Sequence, residues 1–490
     1  MSTRRSLLFL SAANYVNFGL GFALSVVLSR LLTPEQIGIH VLAMAVLALF
    51  SVLRDFGAGE YLIQAVEIDR SRLRSAVTAT ALLSVPLGFA VILSAGYIAE
   101  IYREPRIVPV LNILSLLFFL LPLGATANSL LRRKMRFGLI SIAMCAGSVA
   151  NITTATALVL SGYGVPSIAI GLVVGACVSL IVLIVRAPET FVIRPGTAYL
   201  KEIFSFGGWH SLTAIVRTVG NQGNHAYLGW ALGLANLGLF ARGAGLVDAF
   251  SNALMGSISS VSLSQFSEMV RRGEQVREAV LRYCATQGGL TWPFFAFLAV
   301  FAEEIILVLF GAKWLAAAPI ARILCVGWIF TLNLHSTVPS LLVASGRVRT
   351  LFWTQAFVYI LRFVFVVLGA ALGGLLGAAA AIAFSALLLL IPYIYLLQKD
   401  YGVSGADIAG VSAHSAALTL VAIAPALALQ LLPAMSTISP FPTLLLGGGA
   451  TAAGYLVGCV VLRHPIRSEW LRGLRSIRRL IGPRSAIEGS

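Results

Sequence analysis

The chain is 490 residues long, 58% hydrophobic and only 11% charged, with a mean hydropathy of +0.92. Such a composition excludes a soluble globular domain and a disordered chain, and points to an all-α protein embedded in a bilayer. The formal net charge of +16 sits mostly in turns between apolar runs, so it reads as membrane topology and not as a nucleic-acid surface; no nucleic-acid motif is present.

Apolar segments of roughly 20 residues, each long enough to span the hydrocarbon, recur along the whole chain. The reading gives about fourteen spans, centred near Gly19, Ala45, Pro86, Phe118, Val149, Val174, Val219, Phe250, Phe294, Cys325, Tyr359, Ser385, Leu420 and Gly454. The first is not expected to be a cleaved signal. Arg4 and Arg5 resemble an n-region, but the apolar run continues to Leu32 with no small-residue cleavage site. Short polar turns separate the spans. Cys145, Cys177, Cys284, Cys325 and Cys459 lie inside apolar runs without metal or redox spacing and read as small core residues. After the last span, "RHPIRSEWLRGLRSIRRLIG" (463–482) alternates arginines with an apolar stripe of Ile466, Trp470, Leu474, Ile477 and Ile481. That pattern predicts an amphipathic helix on an anionic inner leaflet, with anionic lipids as its partner.

With the N-terminus in the cytoplasm, 27 of the 35 basic residues fall on the inner side, as the positive-inside rule requires. An even number of spans returns the C-terminus to the same side. The turns after Gly162, Leu232, Ala371 and Leu432 carry no basic residue and are expected to be periplasmic.

Several spans of the second half carry polar stripes. His210, Arg217, Asn221 and Asn224 fall within roughly 60° of one helix face. Asp248, Asn252, Ser259 and Ser262 share a face of the next span. Arg322, Asn333, Ser336 and Ser340 share a face of the tenth, and Gln355, Tyr359 and Arg362 a face of the eleventh. Charge at membrane depth is costly, so such stripes normally face a bundle interior or a water-filled cavity. The first half carries mainly neutral groups at depth: Asn14, Asn17, Asn112, Asn128 and Asn151. The stripes have plainer readings as well. Arg217 and Asp248 lie at similar depth and could neutralise each other as a structural pair. Arg30, Arg242 and Arg322 lie near the outer interface, where they could snorkel to headgroups. The histidines could simply pack, and "RDFG", with Arg54 and Asp55, could be a helix-end pair.

The sequence also repeats itself. "LSRLLTPEQIGI" (28–39) aligns with "LGWALGLANLGL" (228–239) at an offset of 200, "PVLNILSLLFFL" (109–120) with "PIARILCVGWIF" (319–330), and "SLLRRKMRF" (129–137) with "SLLVASGRV" (340–348). Six spans separate the copies, which gives them parallel topology. The expected organisation is a six-helix lobe over 1–190, a second over 191–400, helices 13 and 14 over 401–462, and the basic tail 463–490. Transporters built this way bind substrate between the halves and rock them to alternate access.

The stretches "SRLLTPEQIGI", "RDFGAGEYLIQ", "SLLRRKMRFG" and "LGLANLGLFARG" resemble, in order, the polysaccharide exporters of the MATE/MurJ-like (MOP) superfamily, and most of all the Wzx-type flippases. The resemblance covers the first to the twelfth span. It implies fourteen helices around a central cavity and transport of undecaprenyl-diphosphate-linked oligosaccharide repeat units, of O-antigen or exopolysaccharide, across the bacterial inner membrane to the periplasm. A polysaccharide polymerase and the chain-length machinery would be its protein partners. The sequence departs from the family's habit at Asn224, where the seventh span often carries an aspartate.

A flippase must shelter a diphosphate and a sugar from hydrocarbon. Arginine suits the diphosphate because its planar fork bonds phosphate through two nitrogens and keeps its charge. Arg217 and Arg362 are therefore the leading diphosphate ligands. Asn221, Asn224, Arg242, Arg322, Gln355 and Tyr359 are further substrate contacts, and Asp248 and His210 are counter-ion or coupling candidates. No cofactor and no metal site is called for; a proton or sodium gradient is left open as the energy source. Two other functions remain at this stage. A small-molecule exporter would need a smaller cavity and an acidic first-lobe site, for which Asp55 is the sole weak candidate. A polymerase or ligase would need a large periplasmic loop, and no HExxH, GxSxG, P-loop or paired-carboxylate constellation appears.

Overall fold

In bilayer hydrocarbon every backbone N–H and C=O must find its partner inside the segment, so apolar spans fold as helices. The computed structural model describes residues 3–54, 58–64, 69–192, 194–206, 208–433 and 438–466, and among them the chain is almost wholly helical, without strands. In order the helices are α1 (Thr3–Leu31), α2 (Pro34–Arg54), the short α3 (Ala58–Gln64), α4 (Arg70–Tyr102), α5 (Ile107–Arg133), α6 (Phe137–Leu160), α7 (Pro166–Arg186) and the short α8 (Leu200–Phe206). There follow α9 (Gly208–Leu232), α10 (Leu234–Arg272), α11 (Arg277–Val300), α12 (Ala302–Leu309), α13 (Ala318–Ala344), α14 (Val348–Leu388), α15 (Leu390–Tyr401), α16 (Gly405–Gln430) and α17 (Pro440–Val461). The amphipathic stretch 467–490 and Asp55 lie outside the described residues.

Every expected span centre falls inside one of these helices. By length and apolar content, ten helices among the described residues qualify as membrane crossings, or eleven if the bent pair Arg277–Val300 and Ala302–Leu309 is one span. The difference from fourteen has identifiable causes. Helices α9 and α10 carry the polar stripes and fall short on apolar content. The 54-residue stretch Val348–Tyr401 counts once, yet it is broken at Gly373 and at Gly374, whose φ is +56°. There the chain doubles back so tightly that a Cβ on Gly369 would sit 2.4 Å from the Gly377 carbonyl oxygen. The run "GGLLGAAAA" is thus a close-approach surface, as small residues in membrane helices usually are.

Packing divides the chain into two compact units. The first comprises Met1–Ala253, Leu309–Ile320 and Phe352–Ala381, and the second Leu254–Val308, Ala321–Leu351 and Ile382–Ser490. This division by packing is separate from the division by sequence repeat.

In the first unit, α6 and α7 meet along a seam where Gly147 and Gly175 each face the other's carbonyl oxygen, with 2.6 Å to an added Cβ. Helix α1 joins α6 through Ser148, whose hydroxyl donates to Asn17 Oδ1 at 2.6 Å. The last carbonyls of α1, which no helical N–H can reach, are closed by the segment Leu309–Ile320. Lys313 Nζ donates to Arg30 O at 3.0 Å and Leu32 O at 2.6 Å, and buried Trp314 Nε1 donates to Ser29 O at 2.9 Å. Beyond α4, Arg106 bridges Glu104 at 2.7 Å and Glu35 at 2.5 Å. The pairing with Arg106 holds the Glu104 carboxyl below its ordinary range.

The second unit contains α11, α16 and α17. Its interior holds a polar cluster in which buried Gln287 donates to Ser336 Oγ at 2.8 Å and accepts from Thr337 Oγ1 at 3.5 Å. Gly289 makes room for buried His464, whose ring would lie 2.4 Å from an added Cβ.

The repeat has a direct structural counterpart in the first unit. Gly38 of α2 and Gly238 of α10 occupy equivalent positions of the aligned stretches, 200 residues apart. A Cβ on Gly38 would lie 1.8 Å from Leu234 O, and one on Gly238 would lie 1.9 Å from Pro34 O. Pro34 and Leu234 are themselves repeat equivalents. Such reciprocity, residue against the partner of its own equivalent, is the signature of a two-fold axis, and here it passes between two glycines with no side chain in the way. Replacing either glycine by alanine is expected to cost about 1–3 kcal/mol by overpacking, read as a lower melting temperature of the purified protein; Gly19→Ala, with open space around it, is the control.

Candidate functional site

The polar stripe of α9 meets α14 in the first unit. Their approach depends on Gly220, since a Cβ there would sit 2.7 Å from Tyr359 Cβ. One turn on, Gly223 faces the Phe363 ring at 3.7 Å from its Cβ position, and the Tyr227 ring meets Phe363 edge-on with centroids 6.1 Å apart. Glycine at one end and aromatic pairing at the other set the two helices side by side.

That approach brings Arg362 to Asn221. The guanidinium Nη1 donates to Asn221 Oδ1 at 3.3 Å, and its carbon stands 5.3 Å from the centroid of the Tyr359 ring, within cation–π range. Asp248 on α10 lies within electrostatic reach of Arg362, and its side chain is exposed. Arg217 is exposed on the same α9 face, one turn before Asn221. Asn224 is buried, and its Oδ1 has no hydrogen-bond partner. Gln355 is half-buried one turn before Tyr359. The structure therefore brings together Asn221, Tyr359, Arg362 and Asp248, with Arg217, Asn224 and Gln355 on the adjoining turns. Among the described residues no ion pair joins Arg217 to Asp248; the basic group that acts on Asp248 is Arg362.

Other expected residues are placed differently. Arg242 on α10 lies in a separate recess of about 270 Å³ between α1 and α10. It donates to Ser25 Oγ at 2.5 Å and stands over the rings of Phe310 and Trp314 at 5.6 and 5.4 Å. Arg322 belongs to the second unit, where it pairs with Glu303 at 3.0 Å and donates to Ala299 O at 3.2 Å. The side chains of His210, Ser259 and Asn333 lie outside the described residues. In the first half, Asn17 serves the α1–α6 junction, Asn128 donates to Gly124 O at 3.0 Å, and Asn151 lies against Gly171. Of these amides, Asn17 links two helices, as polar side chains in membrane bundles often do, Asn128 bonds within its own helix, and Asn151 packs against the neighbouring helix.

Sequence reasoning missed Tyr102, whose hydroxyl donates to Ala226 O of α9 at 2.9 Å. It also missed Gly220, Lys313 and Trp314. For Gly220 a signal was present, a glycine inside the most polar span, but nothing in one sequence said that Tyr359 would fill the space.

A charged cluster within an all-helical bundle of ten or more apolar spans defines a multi-pass membrane protein. The comparisons give the fold and the family. The chain superposes on the lipid II flippase MurJ in an inward closed conformation with a TM-score of 0.78, at 16% identity over 93% of this chain and 99% of that one. It superposes on an inward-facing multidrug resistance MATE transporter of the MOP superfamily with a TM-score of 0.65, at 16% identity over 83% and 99%. Residues 27–319 match the family described as polysaccharide biosynthesis protein, and the chain belongs to that family. Among its relatives, the lipopolysaccharide biosynthesis protein WzxC of Escherichia coli (strain K12) is 23% identical over 74% of each chain. The succinoglycan biosynthesis transport protein ExoT of Rhizobium meliloti (strain 1021) is 25% identical over 69% of this chain and 68% of its own.

If Asn221 holds Arg362, Asn221→Leu should destabilise the protein by about 0.5–1.5 kcal/mol, the range for an ordinary hydrogen bond, because at 3.3 Å the contact is longer than a strong charge-assisted one. Thermal melting of purified protein checks this, and the double variant Asn221→Leu with Arg362→Leu should recover part of the loss.

Proposed function

We propose that this protein is a flippase that moves undecaprenyl-diphosphate-linked oligosaccharide repeat units, of an O-antigen or exopolysaccharide, from the cytoplasmic to the periplasmic face of the bacterial inner membrane by alternating access. It is read as a transporter and not an enzyme. The observation that carries the reading is the cluster of Arg362, Asn221, Tyr359 and Asp248 on α9, α10 and α14, with Arg217 exposed one turn away. Membership in the polysaccharide biosynthesis family and likeness to proteins of lipopolysaccharide and succinoglycan biosynthesis support the cargo class.

The chemistry follows from the groups present. The diphosphate brings negative charge into a site where a guanidinium waits with its own counter-ion. Arg362 and Arg217 would bond phosphate oxygens, Asp248 would give up its hold on Arg362 as the phosphate arrives, and Asn221, Asn224 and Gln355 would offer amides to the sugar hydroxyls. When the head leaves, Asp248 restores the empty state. The repeat lobes 1–190 and 191–400 would rock about the axis near Gly38 and Gly238, with 401–462 as an appended helix pair. The tail 463–490 would lie on anionic lipid, and the polymerase and chain-length machinery would receive the product.

Two experiments test this. Polymer export in a strain lacking the gene, corrected for membrane protein level, should fall by about two orders of magnitude for Arg217→Gln or Arg362→Gln, the scale for truncating a desolvated charge contact. Lysine at either position should leave partial export, because charge survives and the bidentate fork does not, and Asp248→Asn should slow turnover more than it lowers protein level. Normal export by both glutamine variants would refute the diphosphate site. Separately, cysteines introduced at Gly162, Gly233 and Leu432 should react with an impermeant thiol reagent from the periplasm; protection of any of the three would overturn the arrangement with both termini inside.

A further inference from the structure

The helix pair that builds the polar cluster has a second face. Beside the α9–α14 seam lies a cavity of about 710 Å³, lined by the end of α4, by α9 and by α14. That volume lies in the range of about 300–1,000 Å³ typical of ligand pockets. Its floor is Gly220 and Gly223, its walls include Val219 and Ile360, and the rings of Tyr227 and Phe363 close one end. The lining is apolar but for three tyrosine hydroxyls, of which Tyr102 directs its own to Ala226 O and Tyr227 its own to Val367 O. Val219, Trp230, Ile360 and Val364 are 49, 62, 65 and 46% exposed, so the cavity opens sideways.

Its position relative to the charges decides what fills it. On α9 the groove residues Val219, Gly220, Gly223 and Ala226 and the polar residues Arg217, Asn221 and Asn224 occupy adjoining faces, roughly a third of a turn apart. On α14, Ile360 and Phe363 face the groove while Arg362 faces Asn221. Tyr359 belongs to both, lining the groove and lying under the Arg362 guanidinium. An anion held by Arg362 thus has an apolar trough immediately beside it, across one tyrosine ring. A molecule with an anionic head joined to a long hydrocarbon matches both faces at once.

We infer that the α9–α14 groove is the binding site for the head-proximal part of the cargo's polyprenyl chain. The inference rests on the flippase reading above and deepens it. The chain lies in the trough, held by burial of its methyl and methylene groups, while the head occupies the polar side. The groove gives the protein a way to recognise the lipid as well as the sugar, and to prefer long prenyl chains over short ones.

The test compares cargo analogues carrying a long and a short prenyl chain on the same diphosphate-sugar, in proteoliposomes of the purified full-length protein. Wild type should flip the long-chain form at least about tenfold more efficiently, the factor expected from burying a few extra methylene groups. Gly223→Leu fills the trough: its Cβ meets the Phe363 ring at an ordinary contact distance of 3.7 Å, and the rest of the side chain occupies the cavity. It should lose the chain-length preference and keep transport of the short form; Ala226→Leu is the second variant, should Gly223→Leu fail to accumulate. A photoreactive side chain in place of Ile360 should cross-link to the long-chain analogue, with competition by excess analogue. Undiminished preference in both filled variants, or cross-linking only to bulk phospholipid or to a second copy, would overturn the groove assignment. If wild type flips neither analogue, the flippase reading itself fails, a distinct result.

Discussion

A guanidinium held at membrane depth is the constraint from which the rest of this arrangement follows. An isolated charge there costs roughly 2.5–3.5 kcal/mol even on the lenient insertion scales, so Arg362 must be surrounded. The protein does it with an amide oxygen from Asn221, the face of Tyr359 and the field of Asp248. Each solution requires backbone proximity. Asn221 reaches Arg362 because α9 can approach α14 at Gly220, where a Cβ would strike Tyr359. Arg242 is managed in the same manner with other parts: a serine hydroxyl and the faces of Phe310 and Trp314. Aromatic faces and neutral oxygens accommodate the charge without cancelling it; at Arg362 the field of Asp248 offsets part of it.

Close backbone approach is the second theme, and it organises the fold as it does the site. Glycines stand at several close backbone approaches: Gly147 with Gly175, Gly369 with Gly377, Gly38 with Leu234 and Gly238 with Pro34. The last two are repeat equivalents in reciprocal contact. A contact without side chains has little to interdigitate, so it resists small rotations less than a ridge-in-groove interface does. In the proposed alternating-access cycle, the axis is therefore placed where the backbones touch and the packing is smoothest, while the interdigitated aromatic contacts of α9 with α14 move as a block.

Much of this was legible in the sequence. Apolar length and turn residues located the helices, because hydrocarbon leaves the backbone no other option. The repeat at an offset of 200 made Gly38 and Gly238 equivalents, but their contact is visible only in the structure. Helical periodicity put Arg217, Asn221 and Asn224 on one face of α9. What could not be read was which face meets which. Counting residues from the turn near Leu234 gives depth, and on depth alone Arg217 and Asp248 looked like partners; in the folded chain Arg362 acts on Asp248. Arg322 lay on a convincing stripe, but Glu303, nineteen residues earlier, claims it. Asn17 was legible only as a neutral group at depth; its role in joining α1 to α6 was not. Periodicity fixes the azimuth of a side chain on its own helix, and the neighbour at that azimuth is a tertiary fact.

The length of one hydrogen bond bears on how such a site could turn over. A strong charge-assisted N–H···O contact is about 2.7–2.9 Å long, and Arg362 to Asn221 measures 3.3 Å. Asn221 therefore orients the guanidinium without competing strongly for it. Asp248 acts on the guanidinium through its field. A site that gripped its arginine with a short bidentate carboxylate would reject phosphate, and one with no counter-charge would hold phosphate too long to release it. In the proposed site, an arginine oriented by a neutral amide and lying in the field of an acid falls between these limits, where binding on one face of the membrane and release on the other would both be feasible with the same residues.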